Sequence, residues 1–154
     1  MPVFESSRSV AYQPDQMFAL VADVERYPEF LPLCEALKVR RRNMLDDGRE
    51  MLIADMTIGY KAIRETFTSR VTLDPAAMKI LVEYVDGPFS HMQNRWSFVP
   101  ETSGTRVEFF IDYQFKSRML GVLMGAMFDT AFRKFSDAFV ERAGVVYGAR
   151  KAPA

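Results

Sequence analysis

The apolar residues change period along the chain. From Ile63 to Leu73 they alternate: Ile63, Glu65, Phe67, Ser69, Val71 and Leu73 share one face, and Arg64, Thr66, Thr68, Arg70 and Thr72 the other. Arg106–Phe115 repeats the pattern, with Val107, Phe109, Ile111, Tyr113 and Phe115 facing inward. A period of two marks a strand buried on one side. From Ser117 to Gly148 the period becomes helical. At about 100° per residue, Leu120, Met124, Met127, Phe128, Ala131, Phe132, Phe135, Ala138 and Phe139 form one stripe, opposite Asp129, Arg133, Ser136, Asp137 and Glu141. Ser117 suits the N-cap and Gly144 or Gly148 the stop, which gives a helix roughly 45 Å long.

The rest of the chain fills in around these elements. Val3–Val10 reads as a strand ended by Tyr12-Gln13-Pro14, and Pro14 opens a helix reaching about Asp23. Tyr27-Pro28-Glu29-Phe30-Leu31-Pro32 leaves room for a single turn between its prolines. Strands follow over Leu37–Arg42 and Glu50–Ile58, with turns at Asp46-Asp47-Gly48 and at Gly59. Beyond the break at Asp74-Pro75 come Lys79–Val85, the turn Asp86-Gly87-Pro88, a strand near Asn94–Val99 and a hairpin loop at Pro100–Gly104. The order β-α-α-β6-α predicts an α+β domain over residues 1–148. A curved antiparallel sheet of about seven strands surrounds the long C-terminal helix, and two short helices follow the first strand. This is the helix-grip arrangement, which often leaves room between sheet and helix for a ligand. Residues 149–154 are expected to be a disordered tail.

Within the long helix, Met119–Phe128 carries no charge. Met119, Val122, Leu123 and Ala126 point off the main stripe, and Gly121 and Gly125 weaken the helix there. Ten residues cannot span a bilayer, which needs about 20. Either loops cover this end, or it is an apolar rim around an opening, or a surface that touches membrane.

Composition narrows the function classes. The formal net charge is zero, so the chain has no global field for nucleic acid. A single Cys34 excludes an internal disulfide and a Cys-based zinc site and fits a reducing compartment; a single His91 excludes multi-His metal sites. The N-terminus resembles neither a signal nor a transit peptide, which points to the cytoplasm or to the periphery of the inner membrane. Thirteen Phe and ten Met suit a large core facing irregular apolar space.

Few residues suggest chemistry. Glu65 lies on an apolar strand face and Arg142 on the apolar helix stripe, so an internal Glu65–Arg142 pair would satisfy both. His91 and Asp86 are expected in one strand-connecting loop and lack a paired nucleophile. Lys38, Arg40, Arg41 and Arg42 form a basic run, suited to a solvated sheet edge, to ribosomal RNA or to anionic lipid. Trp96 and Phe98 alternate inward; Met51 or Met56, Phe67, Tyr84, Phe109 and Phe132 could join them around a cavity. No metal constellation, phosphate loop or acid/base pair is legible, which favours a binding protein over an enzyme.

Five stretches carry a family likeness: VADVERYPEFLPLC (Val21–Cys34), ETFTSRV (Glu65–Val71), DGPFSHMQNRWSF (Asp86–Phe98), VEFFIDYQFKSRML (Val107–Leu120) and AFVERAGVVYG (Ala138–Gly148). In order, and over essentially the whole chain, they resemble the coenzyme Q-binding START-like proteins of the polyketide cyclase/dehydrase superfamily. The related ribosome-association toxin RatA family shares the YPxFLP and GPF patterns. One departure is Leu33-Cys34, where an aromatic often precedes the Cys. The resemblance implies noncatalytic binding of ubiquinone, or a related isoprenoid lipid, as a carrier serving respiratory electron transport. Ubiquinone would be the bound ligand and no cofactor is implied. Combined with the inward pattern, the resemblance makes Phe30, Leu31, Pro32, Phe67, Trp96, Phe98, Phe109, Lys116, Leu120, Met124, Phe128 and Phe132 the candidate ligand-binding residues, with membrane contact through Met119 to Phe128. Its alternative is a ribosome-binding toxin that blocks subunit association; a small-molecule cyclase would need a titrating pocket around Glu65.

Overall fold

The computed structural model describes residues 3–148. The elements are β1 (Val3–Val10), α1 (Pro14–Ala22), a 3-10 turn (Val24–Glu29), β2 (Cys34–Met44), β3 (Glu50–Tyr60), β4 (Ile63–Asp74), β5 (Lys79–Asp86), β6 (Phe89–Glu101), β7 (Gly104–Phe115) and α2 (Arg118–Tyr147). One antiparallel sheet runs in the order β1-β7-β6-β5-β4-β3-β2. Strands β2 to β7 form a meander joined by tight turns, and β1 adds beside β7, with Val10 opposite Thr105. The sheet curls around α2, while α1 and the 3-10 turn close one end. The tail expected over 149–154 lies outside the described residues.

Local chemistry sets the helix ends. The Ser117 hydroxyl accepts from the Leu120 N–H at 3.1 Å, and Gly148 ends α2 with φ 92°. Gly87, at φ +141°, makes the β5–β6 turn. A Cβ there would sit 2.7 Å from the Cβ of Phe67, so glycine lets this turn close over the inner face of β4.

The face α2 gives to the sheet buries Met124, Phe128, Ala131, Phe132, Phe139 and Ala143. Aromatic rings make up much of this contact. Phe139 meets Trp96 edge-on at 5.2 Å, and Phe132 lies 6.0 Å from Phe109 and 5.6 Å from Tyr113.

Four expectations need correction. Strand β6 begins at Phe89, because a bulge between Phe89 and His91 breaks the alternation that would have revealed it. His91 therefore lies on a strand rather than in a loop, with its Nε2 3.0 Å from Asp112 Oδ1. Strand β2 runs past both ends of Leu37–Arg42, again hidden by bulges, one between Cys34 and Ala36 and one between Val39 and Arg41. Gly59 stays inside β3, where its N–H donates to the Leu33 carbonyl at 3.0 Å; the reversal comes at Lys61, with φ 54°.

The fourth correction concerns charge. Arg142 does not pair with Glu65. Its guanidinium donates to Glu29 Oε1 at 2.9 Å and lies 5.2 Å from the Phe30 ring centroid. Glu29 ends the 3-10 turn, which packs beside the C-terminal half of α2. Glu65, two residues before Phe67, is only half-buried and makes no ion pair among the described residues. Enough water reaches it to remove the need for a partner.

Candidate functional site

An apolar cavity of about 110 Å³ lies between the inner face of the sheet and α2. Strands β3 and β4 supply Ala54, Met56, Ile58, Phe67 and Val71. Strands β5 to β7 add Val82, Met92, Trp96, Phe109 and Ile111, and α2 closes the space with Phe128, Ala131, Phe132, Phe135 and Phe139. The segment from Val24 to Leu37 forms the remaining wall.

Of the twelve residues anticipated from sequence, Leu31, Pro32, Phe67, Trp96, Phe109, Phe128 and Phe132 line this cavity. The other five do not. Phe98 is buried behind Trp96, its ring parallel to the indole at 6.2 Å and edge-on to Phe18. Met124 is fully buried in packed core, and Leu120 packs against that core from its margin. Phe30 lies outside the cavity wall, against Tyr27 and Phe139 and beneath Arg142. Lys116 is exposed. Of the further candidates, Met56 lines the cavity, Met51 pairs with outward-facing Thr72, and Tyr84 stands apart, its hydroxyl accepting from the Phe89 N–H at 3.2 Å.

The polar atoms in the wall are few. The Tyr27 hydroxyl donates to the Val21 carbonyl, and burial raises its pKa. Burial also pushes the Cys34 thiol up to about 11. Both groups stay protonated near neutral pH, so neither is a ready base or nucleophile. Asn94 donates to the Phe110 carbonyl at 2.8 Å and accepts from Trp96 Nε1 at 3.0 Å. Ser69 adds a hydroxyl from the middle of β4. Sequence patterning set Ser69 on the inner face but gave no sign that it or Asn94 borders open space.

A larger hollow of about 810 Å³ crosses the outer face of the sheet. It is open to solvent and lined by charges of both signs, among them Glu5, Arg49, Asp74, Lys79, Arg95 and Glu108, so it lacks the enclosure a small ligand needs.

Two surface features flank the cavity. At the start of α2, Met119, Val122 and Leu123 are 72%, 76% and 52% exposed, just past the exposed Lys116 and Arg118. No loop among the described residues covers them. At the edge of the sheet, acids answer part of the basic run on β2. Arg40 donates to Asp55 at 2.6 Å and Arg42 to Glu25 at 2.6 Å. A hydrogen bond from the Thr68 hydroxyl, reinforced by Arg40, lowers the Asp55 pKa. Lys38 and Arg41 are exposed and form no ion pair among the described residues. No helix among those residues is long and apolar enough to cross a membrane, and no cluster of His, Cys, Asp and Glu there could hold a metal.

Residues 10–140 match the protein family described as polyketide cyclase / dehydrase and lipid transport. The chain is 32% identical over 143 residues to the ribosome association toxin RatA of Rickettsia prowazekii, covering 91% of this chain and 94% of that protein. It is 28% identical over 144 residues to the mitochondrial coenzyme Q-binding protein coq10 of Schizosaccharomyces pombe, covering 92% of this chain and 87% of the relative. Among solved structures, a START superfamily protein of Mycobacterium smegmatis superposes with a TM-score of 0.77, at 20% identity, over 94% of this chain and 98% of its own. At that identity the likeness shows the fold alone: a START-like helix grip.

Proposed function

Because the chain belongs to the polyketide cyclase/dehydrase and lipid-transport family, we propose that it binds an isoprenoid lipid of the ubiquinone type in the cavity under α2 and carries it without catalysis. The observation that carries this reading is the wall itself, which is aliphatic or aromatic at nearly every position. Burial of apolar surface, at about 25 cal/mol per Å², supplies affinity for a prenyl chain without a dedicated polar site. A cavity of about 110 Å³ is smaller than the roughly 300–1,000 Å³ of ordinary ligand pockets, so the ligand must push α2 outward to enter. The name of the fission-yeast relative supports the choice of ligand.

The bare apolar residues Met119, Val122 and Leu123, preceded by Lys116 and Arg118, suit brief contact with an anionic membrane from which such a lipid is collected. The test is lipid extraction of purified protein followed by mass spectrometry, with titration of ubiquinone analogues against the fluorescence of Trp96, the single tryptophan. Saturable quenching that tightens with tail length supports the reading. Quenching no different from that of free tryptophan overturns it.

A second reading has its own observations. Several relatives are named ribosome association toxins, and Lys38 and Arg41 are exposed on the sheet edge without an ion pair among the described residues. Co-sedimentation with the large ribosomal subunit, lost in an Lys38→Glu/Arg41→Glu variant, would favour that role.

A further inference from the structure

We infer that the Ser69 hydroxyl is the hydrogen-bonding point of the cavity and selects, among apolar molecules, those with a carbonyl or hydroxyl oxygen at one end. The inference rests on the cavity-binding reading above and adds to it where the polar end of the ligand lies. Ser69 is 5% exposed, and its side chain borders the cavity. Among the described residues its hydroxyl makes no hydrogen bond, and no side-chain oxygen or nitrogen sealed within the protein lacks a partner. The Ser69 oxygen is therefore not sealed off: it opens onto the cavity.

Its surroundings are largely apolar. Phe67 and Val71 flank it along β4, Ala54 sits opposite it on β3, and Met56 and Val82 stand beside those flanking residues; Tyr84, opposite it on β5, lies outside the cavity wall with its hydroxyl accepting from the Phe89 N–H. The other polar groups of the wall are committed. Asn94 is held between Trp96 and Phe110, Tyr27 by Val21, and the Cys34 thiol faces the Ala36 carbonyl at 3.8 Å. A buried hydroxyl left without a partner is unfavourable, and a serine hydroxyl both donates and accepts. It would serve a ligand carbonyl and the corresponding reduced hydroxyl alike. The oxygen-bearing end then lies deep against β4, and the apolar remainder extends along Phe109, Phe128 and Phe132.

The test compares two probes of one shape, a decyl-benzoquinone and decylbenzene, each displacing an uncharged naphthalene dye from the full chain. Wild type should prefer the quinone by about tenfold, and Ser69→Ala should bind both alike. Ser69→Thr keeps a hydroxyl and should keep the preference. An Ser69→Ala variant that retains the full preference overturns the inference while leaving the cavity-binding reading intact. Failure of wild type to bind either probe overturns both.

Discussion

Filling the cavity tests it most directly. Ala131 lies on α2, 5% exposed and bordering the open space, so Ala131→Leu directs three further carbons into it. Burying each is worth about 0.8 kcal/mol, an upper limit near 2.4 kcal/mol. Each carbon is comparable to a water, whose share of liquid volume is about 30 Å³, so together they occupy most of the roughly 110 Å³ available. Some rotamer strain will be incurred, and the expected net gain is about 1–2 kcal/mol. For a chain of this size that is about 2–8 °C in Tm. Ala143 is the control. It lies on the same face of α2, fully buried but away from the cavity. Ala143→Leu should overpack and cost about 1–3 kcal/mol. Calorimetric unfolding measures both variants, and Trp96 quenching by a ubiquinone analogue measures the loss of binding in the first. If Ala131→Leu destabilises as much as Ala143→Leu, there is no usable space under α2. If it stabilises and still binds the analogue at wild-type affinity, the ligand sits elsewhere.

Arg142→Ala should cost only about 1–2 kcal/mol in urea denaturation, combining a partly exposed ion pair of about 0.2–1 kcal/mol with a ring contact of about 0.5–1 kcal/mol; a loss above 3 kcal/mol would require a buried pair. Cys34 should react with iodoacetamide near pH 8 about a hundredfold more slowly in the folded chain than in urea, because burial raises its thiol from 9.0 to about 11. The sign follows: the fold favours the neutral thiol, so this contribution to stability is whole below about pH 9 and lost as pH rises through about 11; native-state alkylation at the unfolded rate would refute it. Val122→Glu/Leu123→Glu should weaken co-sedimentation with anionic vesicles and leave Tm unchanged, since both side chains are exposed; unfolding of the double variant would refute the membrane contact. Amide exchange should be faster over residues 119–128 than over 132–143, and equal rates would count against a loosened first section of α2.

How much the sequence revealed depended on where its periods run unbroken. Strands β4 and β7 and helix α2 keep one period from end to end, and their inward residues were legible: Phe67, Val71, Phe109, Ile111, Phe128 and Phe132 are all buried. Strands β2 and β6 contain bulges, each of which moves later side chains to the opposite face, so both strands look shorter in sequence than they are. Arg142 was visible as a charge on an apolar stripe, but its partner was not. Glu29 is 113 residues away, and which turn lies beside the end of α2 is decided by tertiary packing. The cavity was hidden for a related reason. Alternation sorts inward from outward residues; it cannot separate Trp96, which borders open space, from Phe98, two residues on along the same face and packed solid.

The polar ties of α2 are unevenly spread, and this bears on how a ligand larger than the resting cavity could enter. Among the described residues, the hydrogen bonds that join the helix to the rest of the protein all lie from Asp137 onward. Asp137 binds Arg8, Arg142 binds Glu29, the Tyr147 hydroxyl donates to the Gln16 carbonyl at 2.9 Å, and the Tyr12 hydroxyl donates to the Gly148 carbonyl at 2.9 Å. Between Met119 and Ser136 the side-chain bonds stay within the helix, Thr130 to Ala126 and Arg133 to Asp129. That section is held by apolar packing, and apolar packing is non-directional. It can be exchanged for contact with an equally apolar ligand at little cost, whereas a broken hydrogen bond or ion pair leaves groups unpaired. Gly121 and Gly125 lower the cost of bending there. The section bound only by apolar contacts includes Phe128 and Phe132, which close the cavity, and it begins at the exposed Met119, Val122 and Leu123. One end of the helix is therefore anchored by charge and hydrogen bonds, and the other by apolar contacts alone, which an apolar ligand could replace in kind.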